Sequence, residues 1–299
     1  MRQFRNERQY EAIRQCSKER GYPIETLCQI LHVSRAGYYQ WHAGKLSPRA
    51  AENKRIAEQV EEIHGTSPDK GYRRIRDDLT RYYDTSVNDK RVRRICQSLG
   101  IKSTIKYARH SCTRSVSDPK HTAENILNRQ FHADRPNEKW LTDVTEFKYY
   151  IGPVVHKVYL SAILDLYDRR IVAAVIRDAN DCALVYETLD KAVTDNPDAH
   201  PLFHSDRGFQ YTTQVFRDKL AAAGMTQSMS RVGKCIDNGP MEGFWGILKR
   251  ERYYGRRFTS REELVWMIED YIAYYNSRRL QRGLGVLTPF EKHELAMAA

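Results

Sequence analysis

The stretch WLTDVTEFKYYI at residues 140–151 opens the part of the chain whose pattern decides the fold. Two more stretches rich in β-branched and aromatic residues follow it, HKVYLSAILDLYD (156–168) and RIVAAVIRD (170–178). Short turns such as Gly152-Pro153 join them, so the pattern predicts three successive antiparallel strands. Helix and strand then alternate through residues 182–193, 201–206, 213–224 and 225–230, and two more helices are predicted from Pro240 and over Ser260 to Asn276. This order predicts an α/β layer fold with a mixed sheet.

Three carboxylates in this region occupy positions that suit a catalytic site. Asp143 lies in the middle of the first predicted strand, Asp206 follows a short strand directly, and Glu242 lies in the first turn of the helix that Pro240 opens. Open α/β sheets bind ligands at the carboxyl ends of their strands. Carboxylates brought together repel one another, and hard oxygen ligands of this kind favour Mg²⁺ or Mn²⁺.

A single acid is more often a helix cap or a surface charge than a metal ligand. The chain has 38 acidic residues, so spacing alone leaves the structural and the catalytic interpretation open. Comparable acids in the same region are Glu146, Asp165, Asp168 and Asp237.

The net charge of +11 is concentrated at one end of the chain. Residues 1–130 hold 26 Lys and Arg against 15 Asp and Glu, whereas residues 131–299 hold 23 of each kind. A basic part joined to a neutral part indicates that the first part binds a polyanion. A basic, solvated surface without a ligand is the alternative.

A helix-turn-helix is predicted near the start of the chain. IETLCQIL (24–31) has helical apolar spacing, three residues follow it, and Ser34 can cap a second helix, RAGYYQWH (35–42). Arg35 and Tyr38 on this second helix are candidates for contacts with duplex DNA. A helical hairpin that serves only for packing would have a similar sequence.

A second helical module follows Pro48. Helices are predicted over about 49–64 and 72–83, and Asn88 or Asp89 can cap a third one in NDKRVRRICQSLG (88–100). This third helix has an apolar stripe on one side and basic residues on the other. It suits contact with a DNA groove, and Arg91 and Arg94 are the candidate contacts. The polar, basic segment from Ile101 to about Asn137 is interpreted as a linker, partly disordered unless bound.

The sequence has no feature of an exported or membrane protein. No apolar run approaches the length of about 18 residues that is typical of a membrane span, and the polar first residues contain no signal-peptide core. The six cysteines are scattered without a C-x-x-C pair, which favours reduced thiols over disulfides or a zinc ribbon. We therefore expect a cytoplasmic, nucleoid-associated protein.

Five motifs in the second half of the chain resemble one known family. They are WLTDVTEF, FHSDRGFQYT, DNGPMEGFWGILKRE, YIAYYNSRR and LTPFEKHE. They resemble the retroviral-integrase-like core of bacterial insertion-sequence DDE transposases, and are most similar to the OrfB-type product of insertion-sequence family three. That family has an Asp-Asp-Glu triad with 35 residues between the last two acids, and 35 residues separate Asp206 from Glu242 here. LHVSRAGYYQWH and GYRRIRDDLTRYY resemble the family's N-terminal modules. The chain departs from the family after YYNSRR, at Leu280-Gln281 and Gly285-Val286.

The resemblance implies a ribonuclease-H-like (integrase) catalytic core preceded by all-α helix-turn-helix DNA-binding modules. The expected boundaries are 1–46 for the helix-turn-helix module, 47–105 for the second DNA-binding module, 106–137 for the linker, 138–258 for the core and 259–299 for a helical extension. The triad implied is Asp143, Asp206 and Glu242, holding two Mg²⁺ or Mn²⁺ ions. Lys249, seven residues after Glu242, matches a family position that holds Lys or Arg.

The function implied is DNA transposition. The enzyme would cleave the ends of an insertion sequence and transfer them to target DNA without a covalent enzyme intermediate. Lys249 and Arg250 would contact the DNA strand, while Asn238 and His204 would shape the pocket. A buried core histidine is an equal alternative for His204. The partners expected are the terminal inverted repeats, target DNA, further copies of the chain, and an upstream-frame product, fused or separate.

Two other functions are compatible with the residues alone. One is a nuclease of the same fold, against which the N-terminal helical modules and Lys249 argue. The other is a DNA-binding repressor without catalytic activity, against which the intact triad argues.

Overall fold

The computed structural model describes residues 6–44, 48–105 and 123–298. The chain forms two compact units, Met1–Thr104 and Ile105–Ala299. Of the linker predicted at 106–137, residues 106–122 lie outside the described residues.

The first unit is all-α. Two capping residues that the sequence predicts are confirmed: the Ser34 hydroxyl accepts a hydrogen bond from Gly37 N, and the Asn88 side chain accepts one from Arg91 N. The described helices are α1 (Glu7–Arg20), α2 (Ile24–Ile30), α3 (Arg35–His42), α4 (Pro48–Thr66), α5 (Tyr72–Tyr82) and α6 (Asp89–Ser98). The sequence interpretation did not include α1. Only Tyr10 and Ile13 of this polar helix are buried, so its apolar stripe is too sparse to stand out.

A five-stranded mixed sheet organises the second unit, in the order β3-β2-β1-β4-β5. Its strands are β1 (Lys139–Ile151), β2 (Val154–Asp165), β3 (Ile171–Arg177), β4 (Leu202–Ser205) and β5 (Thr226–Met229). The first three are antiparallel, as the pattern predicts, and β4 and β5 run parallel to β1. The described helices are α7 (Cys182–Asp195), α8 (Gln214–Ala222), α9 (Gly239–Leu248), α10 (Arg261–Ser277) and α11 (Pro289–Met297).

The sheet carries a core on each face because successive strand residues point to opposite sides. Trp140 packs with residues of α7 and α8 on one face, including Phe216. Its neighbour Leu141 packs with α9 and α10 on the other, where Phe244 and Tyr271 are buried. Asp143 and Phe147 are an even number of residues from Leu141, so they belong to the α9 face.

Two segments that were assigned outside the core pack into it. In the predicted linker, Leu127 and Ala133 are buried, and the backbone N–H groups of Ile126 and Leu127 donate to the Ser228 hydroxyl. In the predicted extension, α10 adds apolar residues such as Ile268 to the same core. The segment around Leu127 and Ala133 has no repeating apolar pattern in its sequence, because single buried residues and hydrogen bonds hold an irregular backbone in place.

No helix in the described part of the chain is both long and apolar enough to cross a membrane.

Candidate active site and DNA-contacting residues

Asp143 and Asp206 lie on neighbouring parallel strands. The last residue pair between β1 and β4 is Leu141 with His204, and each acid follows its member of this pair by two residues. Adjacent strands lie about 4.8 Å apart, so the register places the two carboxylates side by side. Asp206 comes directly after β4, where its Oδ1 accepts a hydrogen bond from Gly208 N at 2.8 Å.

Glu242 reaches this edge of the sheet on the first turn of α9. The start of the helix is attached to β1 because the Asn238 side-chain amide donates to the Thr142 carbonyl at 3.0 Å. Glu242 is exposed, and its negative charge contributes to the raised pKa of Asp143. A carboxylate at this position also interacts favourably with the helix N-terminus.

The pKa values of both aspartates are raised. Burial raises the pKa of Asp143 to about 7, and the charge of Asp206 adds to the shift. Burial also raises the pKa of Asp206. Carboxylates whose ionisation is opposed in this way occur often at functional sites, and a bound cation would favour their charged form.

Helix α9 and Lys249, the residue that follows it, contact β1 at two points with matching spacing. Trp245 Nε1 donates to Asp143 Oδ2 at 3.0 Å, and Lys249 Nζ donates to Thr145 Oγ1 at 2.7 Å. Four helical residues rise about 6 Å, close to the length of two strand residues. The ammonium group of Lys249 also lies 4.9 Å from the centre of the Phe147 ring. The helix is therefore registered against the strand that carries Asp143.

The carboxylates of the site are ligands of the type that divalent cations prefer. In this structure, however, their side chains are not grouped closely enough to bind one ion together. Within the described residues, no three His, Cys, Asp or Glu side chains are grouped closely enough to hold a metal ion. Both oxygens of Asp143 accept hydrogen bonds, Oδ1 from Val144 N and Oδ2 from Trp245. The carboxylates are hard oxygen donors. Asn238 Oδ1 is a buried oxygen with no hydrogen-bond partner in the described residues.

Comparison with known proteins identifies the family. Models of an integrase core domain match residues 133–235 and 242–295, and a model of an HTH-like domain matches residues 51–109. The putative transposase InsK for insertion sequence element IS150 of Escherichia coli is 38% identical over 274 residues, covering 90% of this chain and 93% of that protein. This chain belongs to the insertion-sequence transposases.

Two further relatives have the same kind of name. The probable transposase for insertion sequence element IS1353 of Shigella flexneri is 40% identical over 279 residues, covering 90% of this chain and 52% of that protein. Transposase InsF for insertion sequence IS3fB of E. coli is 29% identical over 284 residues, covering 92% of this chain and 96% of that protein. The predicted family and the predicted integrase core with N-terminal HTH-like helices are therefore confirmed.

In the transposase, α6 presents Arg91 and Arg94 in different surroundings. Arg91 forms a bidentate ion pair with Glu52, with its closer contact at 2.8 Å, and its Nε donates to Asn53. Arg94 donates from Nε to the Lys90 carbonyl. Both line a groove whose other members are Arg49, Asn53, Ile95 and Ser98. Three guanidinium groups at one groove suit a phosphate backbone, although the Arg91 guanidinium already has an internal partner.

Arg35 and Tyr38 on α3 also differ from each other. Arg35 is exposed and lies 3.0 Å from a carboxylate oxygen of Glu25 on α2. Tyr38 is buried among aromatic residues, with Tyr10 and Trp41 as neighbours. Only Arg35 of this pair is accessible to a duplex.

His204 is an interior residue of the transposase. It is fully buried, and its ring nitrogens lie 2.8 Å from Ser228 Oγ and 3.2 Å from Ser230 Oγ. Burial lowers the pKa of His204 to about 4, so the ring is neutral near pH 7. These contacts correspond to the buried core histidine that the sequence left as the alternative.

Lys249 and Arg250 are both half-buried. Lys249 points inward to Thr145, and burial lowers its pKa. The Arg250 guanidinium lies over Gly246, where an added Cβ would come within 2.9 Å of Nη1. Gly246 therefore provides the space that Arg250 occupies.

Three residues near the site carried no assigned role in the sequence interpretation. Trp245 binds Asp143, Thr145 binds Lys249, and the Tyr211 hydroxyl lies 3.4 Å from Thr142 Oγ1, on the residue before Asp143. Burial and the charges of Asp206 and Asp143 raise the pKa of Tyr211 well above its usual value. The spacing of three residues between Glu242 and Trp245 was the only local signal, because the other contacts depend on tertiary packing.

Asp237 illustrates the structural role of an acid close to the site. It is fully buried and pairs with Arg231 at 2.8 Å and Arg129 at 2.6 Å. The Arg231 contacts hold the pKa of Asp237 well below its usual range. This carboxylate fastens the chain before α9 to the segment around residue 129, and the ion pairs account for its charge.

Proposed function

We propose that Asp143, Asp206 and Glu242 form the catalytic triad of a two-metal DNA strand-transfer site. The observation that carries this proposal is the parallel register of β1 and β4, because Asp143 and Asp206 each follow the Leu141–His204 pair by two residues. The charges of Asp206 and Glu242 both contribute to the raised pKa of Asp143. Asp237, which pairs with Arg231 and Arg129, has a lowered pKa instead.

The proposed reaction has two steps that need no covalent intermediate. In the first, a water oxygen attacks phosphorus at the end of the element, the P–O3′ bond breaks, and a free 3′-hydroxyl leaves. In the second, that 3′-hydroxyl attacks a phosphodiester of the target, so one P–O bond forms as another breaks. The number of phosphodiester bonds is conserved in the second step, so it requires no high-energy cofactor.

The three carboxylates would hold two Mg²⁺ or Mn²⁺ ions, with Asn238 Oδ1 close by. Such ions, when bound, lower the pKa of the attacking water or hydroxyl and stabilise the leaving oxygen. Trp245 would orient Asp143 through its N–H, and the Lys249–Thr145 contact would keep α9 in register. Arg250 and, after a change of rotamer, Lys249 are the side chains that would meet the DNA strand.

The proposed partners are the terminal inverted repeats and the target duplex. Arg35 and Arg94 are the proposed contacts of the N-terminal helices, whereas Arg91 is proposed to hold α6 through its ion pair with Glu52. Several copies of the chain would assemble on DNA, because two element ends must meet. An upstream-frame product, fused or separate, is the further proposed partner. Such a substrate would place the transposase at the nucleoid.

Asp206→Asn is the direct test. The substitution keeps the size of the side chain and removes the metal-binding charge, so cleavage and joining of an element end should fall by orders of magnitude, while duplex binding survives. Asp218→Asn on the exposed surface of α8 is the matched control and should keep full activity. Joining of a pre-cut end separates transposase from simple nuclease activity. More than a tenth of wild-type joining in Asp206→Asn would remove this residue from the site.

A further inference from the structure

The far end of the β1–β2 hairpin forms a cationic, partly apolar surface that the proposed site does not use. Only residues 139–141 of β1 pair with β4, whereas β1 and β2 pair along their whole length to Ile151 and Val154. The five residues Ile151–Val155 at the tip are all exposed. Ile151, Val154 and Val155 have 55%, 53% and 50% of their surface accessible.

Basic residues flank this apolar tip. Lys148 and Lys157 are opposite one another in the hairpin, and both are exposed. The chain after α9 adds Arg256 and Arg257, also exposed. The Arg257 guanidinium lies 4.6 Å from the centre of the Tyr150 ring and donates to the Gly152 carbonyl. We call the tip Ile151–Val155 together with these four cations the hairpin patch.

The hairpin patch is rigidly supported. Tyr253 donates its hydroxyl to the Lys148 carbonyl and accepts from Lys148 N, and Tyr150 N donates to the Phe258 carbonyl. These bonds cover the edge of β1 that β4 leaves free. Since Phe258 is buried in the core, the loop with Arg256 and Arg257 keeps its place beside the hairpin.

The charge of the hairpin patch points to a polyanion. Among the ion pairs of the described residues, Lys157 and Lys148 share one carboxylate, Glu146, at 2.9 Å and 3.8 Å. The hairpin patch therefore carries an excess of positive charge. A symmetric contact between two copies of the chain would bring this surface against itself and set like charges together. Duplex DNA presents phosphates for the cations and a groove for exposed aliphatic side chains.

We propose that the hairpin patch is a second duplex-binding surface of the transposase. The cations contact phosphates, and the side chains of Ile151, Val154 and Val155 enter a groove at the tip. This inference rests on the proposed DNA substrate, and it adds a contact that lies outside the triad and the N-terminal helices.

The test is duplex binding by the full chain, measured by fluorescence anisotropy across a salt series without divalent metal. Catalysis is absent under these conditions, so a failure of the proposed chemistry does not affect the result. Arg256→Gln/Arg257→Gln should flatten the slope of log K against log salt by about two units, because each lost phosphate contact removes about 0.9. Lys191→Gln/Arg217→Gln, on helices α7 and α8 of the opposite face, removes the same charge and should leave the slope unchanged.

The tip is tested separately. Ile151→Thr/Val154→Thr/Val155→Thr keeps β-branched residues at exposed positions, so folding should be retained, which a thermal melt checks. Duplex affinity at fixed salt should fall about tenfold with little change in slope, since apolar contacts are lost and charges are not. A photo-crosslinking residue at position 154 should attach to DNA. Unchanged affinity and slope in both variants, or crosslinking to a second copy of the chain in the presence of DNA, would overturn the proposal.

Discussion

In the N-terminal unit of the transposase carboxylates lie next to arginines, whereas at the acid site of the second unit they lie next to one another. Glu52 pairs with Arg91 at 2.8 Å, and Asp69 pairs with Arg74 at 3.1 Å. The hydrogen bond from Arg91 lowers the pKa of Glu52, while burial and Asp206 raise the pKa of Asp143 to about 7.

The difference shows that net charge does not locate function within a chain. The first 130 residues hold the entire excess of positive charge, yet some of that charge is already paired with nearby acids. Residues 131–299 are neutral in sum, yet they separate the acids of the proposed site from the cations of the hairpin patch. A local imbalance of charge, and not the total, marks the surfaces that require a ligand.

Removal of metal should give the largest contrast between the two regions. A chelator should abolish strand cleavage and joining, and Mg²⁺ or Mn²⁺ should restore both, because a bound divalent cation would favour the charged form of Asp143 and Asp206. Ca²⁺, which is larger and tolerates looser geometry, should support assembly with little catalysis. Duplex binding by the N-terminal helices should not respond to the chelator. Gel assays of cleavage, joining and binding on one labelled end measure all three, and full activity in excess chelator would end the two-metal account.

Trp245→Phe tests how much one hydrogen bond to Asp143 contributes to metal binding at the acid site. The ring remains to pack against Phe244, but the donor to Asp143 Oδ2 is lost, so affinity for Mn²⁺ should fall about 10- to 100-fold, as is typical when a partner of a metal ligand is removed. Calorimetric titration with Mn²⁺ measures this independently of activity. Trp266→Phe, at a position with 67% exposure on α10, is the matched control. Equal Mn²⁺ affinity in both variants would show that Trp245 only fills space.

A second pair of acids in the core offers a comparison based on pH. Burial, with a contribution from Asp168, raises the pKa of Asp165 to about 6, although Asp168 has His293 as a partner at 2.7 Å. Asp165 therefore binds a proton more tightly in the native state than in the unfolded chain. The free energy of unfolding that this proton contributes is fully present below about pH 4 and is lost as pH rises through 6.

Relative to Asp165→Asn, the wild type should lose up to about 3 kcal/mol of unfolding free energy between pH 4 and pH 7. Urea unfolding of both proteins across this range measures the difference. A difference in unfolding free energy that stays constant with pH would mean that the basic groups around Asp168 already neutralise the charges of Asp165 and Asp168.

The smallest expected effects concern two arginines on α6. Arg91→Gln should lower the stability of the N-terminal unit by about 1 kcal/mol, since it removes a partly exposed ion pair with Glu52. Arg94→Gln should leave stability unchanged and flatten the salt dependence of duplex binding by about 0.9. Thermal melts and salt titrations of both variants separate the two roles. An equal loss of binding in Arg91→Gln and Arg94→Gln would contradict this assignment.

The sequence predicted what local pattern controls. Alternating and β-branched runs predicted β1 to β3, and the helix-opening signals at Ser34, Asn88 and Pro240 correspond to observed helix starts. The three candidate acids were selected by their positions within a strand, after a strand and at a helix start, and the family resemblance decided between them and other acids. The parallel pairing of β1 with β4 could not be identified from local sequence, because about 60 residues lie between the paired segments.

Side-chain environment was the harder part to predict. Tyr38 and His204 are residue types that bind DNA when they are exposed, but packing buries both of them. The Trp245–Asp143 hydrogen bond and the burial of Leu127 depend on contacts between residues that are far apart in the sequence. A short stretch of sequence therefore cannot predict them.

The two-point contact between α9 and β1 bears on how the chain tolerates insertions. Thirty-five residues separate Asp206 from Glu242, but the position of Glu242 depends on the hydrogen bonds of Trp245 to Asp143 and of Lys249 to Thr145. Residues 231–234, between β5 and α9, are exposed, and Gly233 has a φ of +65° there. Extra residues after Gly233 should therefore enlarge a surface loop and leave the acids in place. A single residue inserted between Trp245 and Lys249 would turn the rest of the helix by about 100° and separate the two contacts.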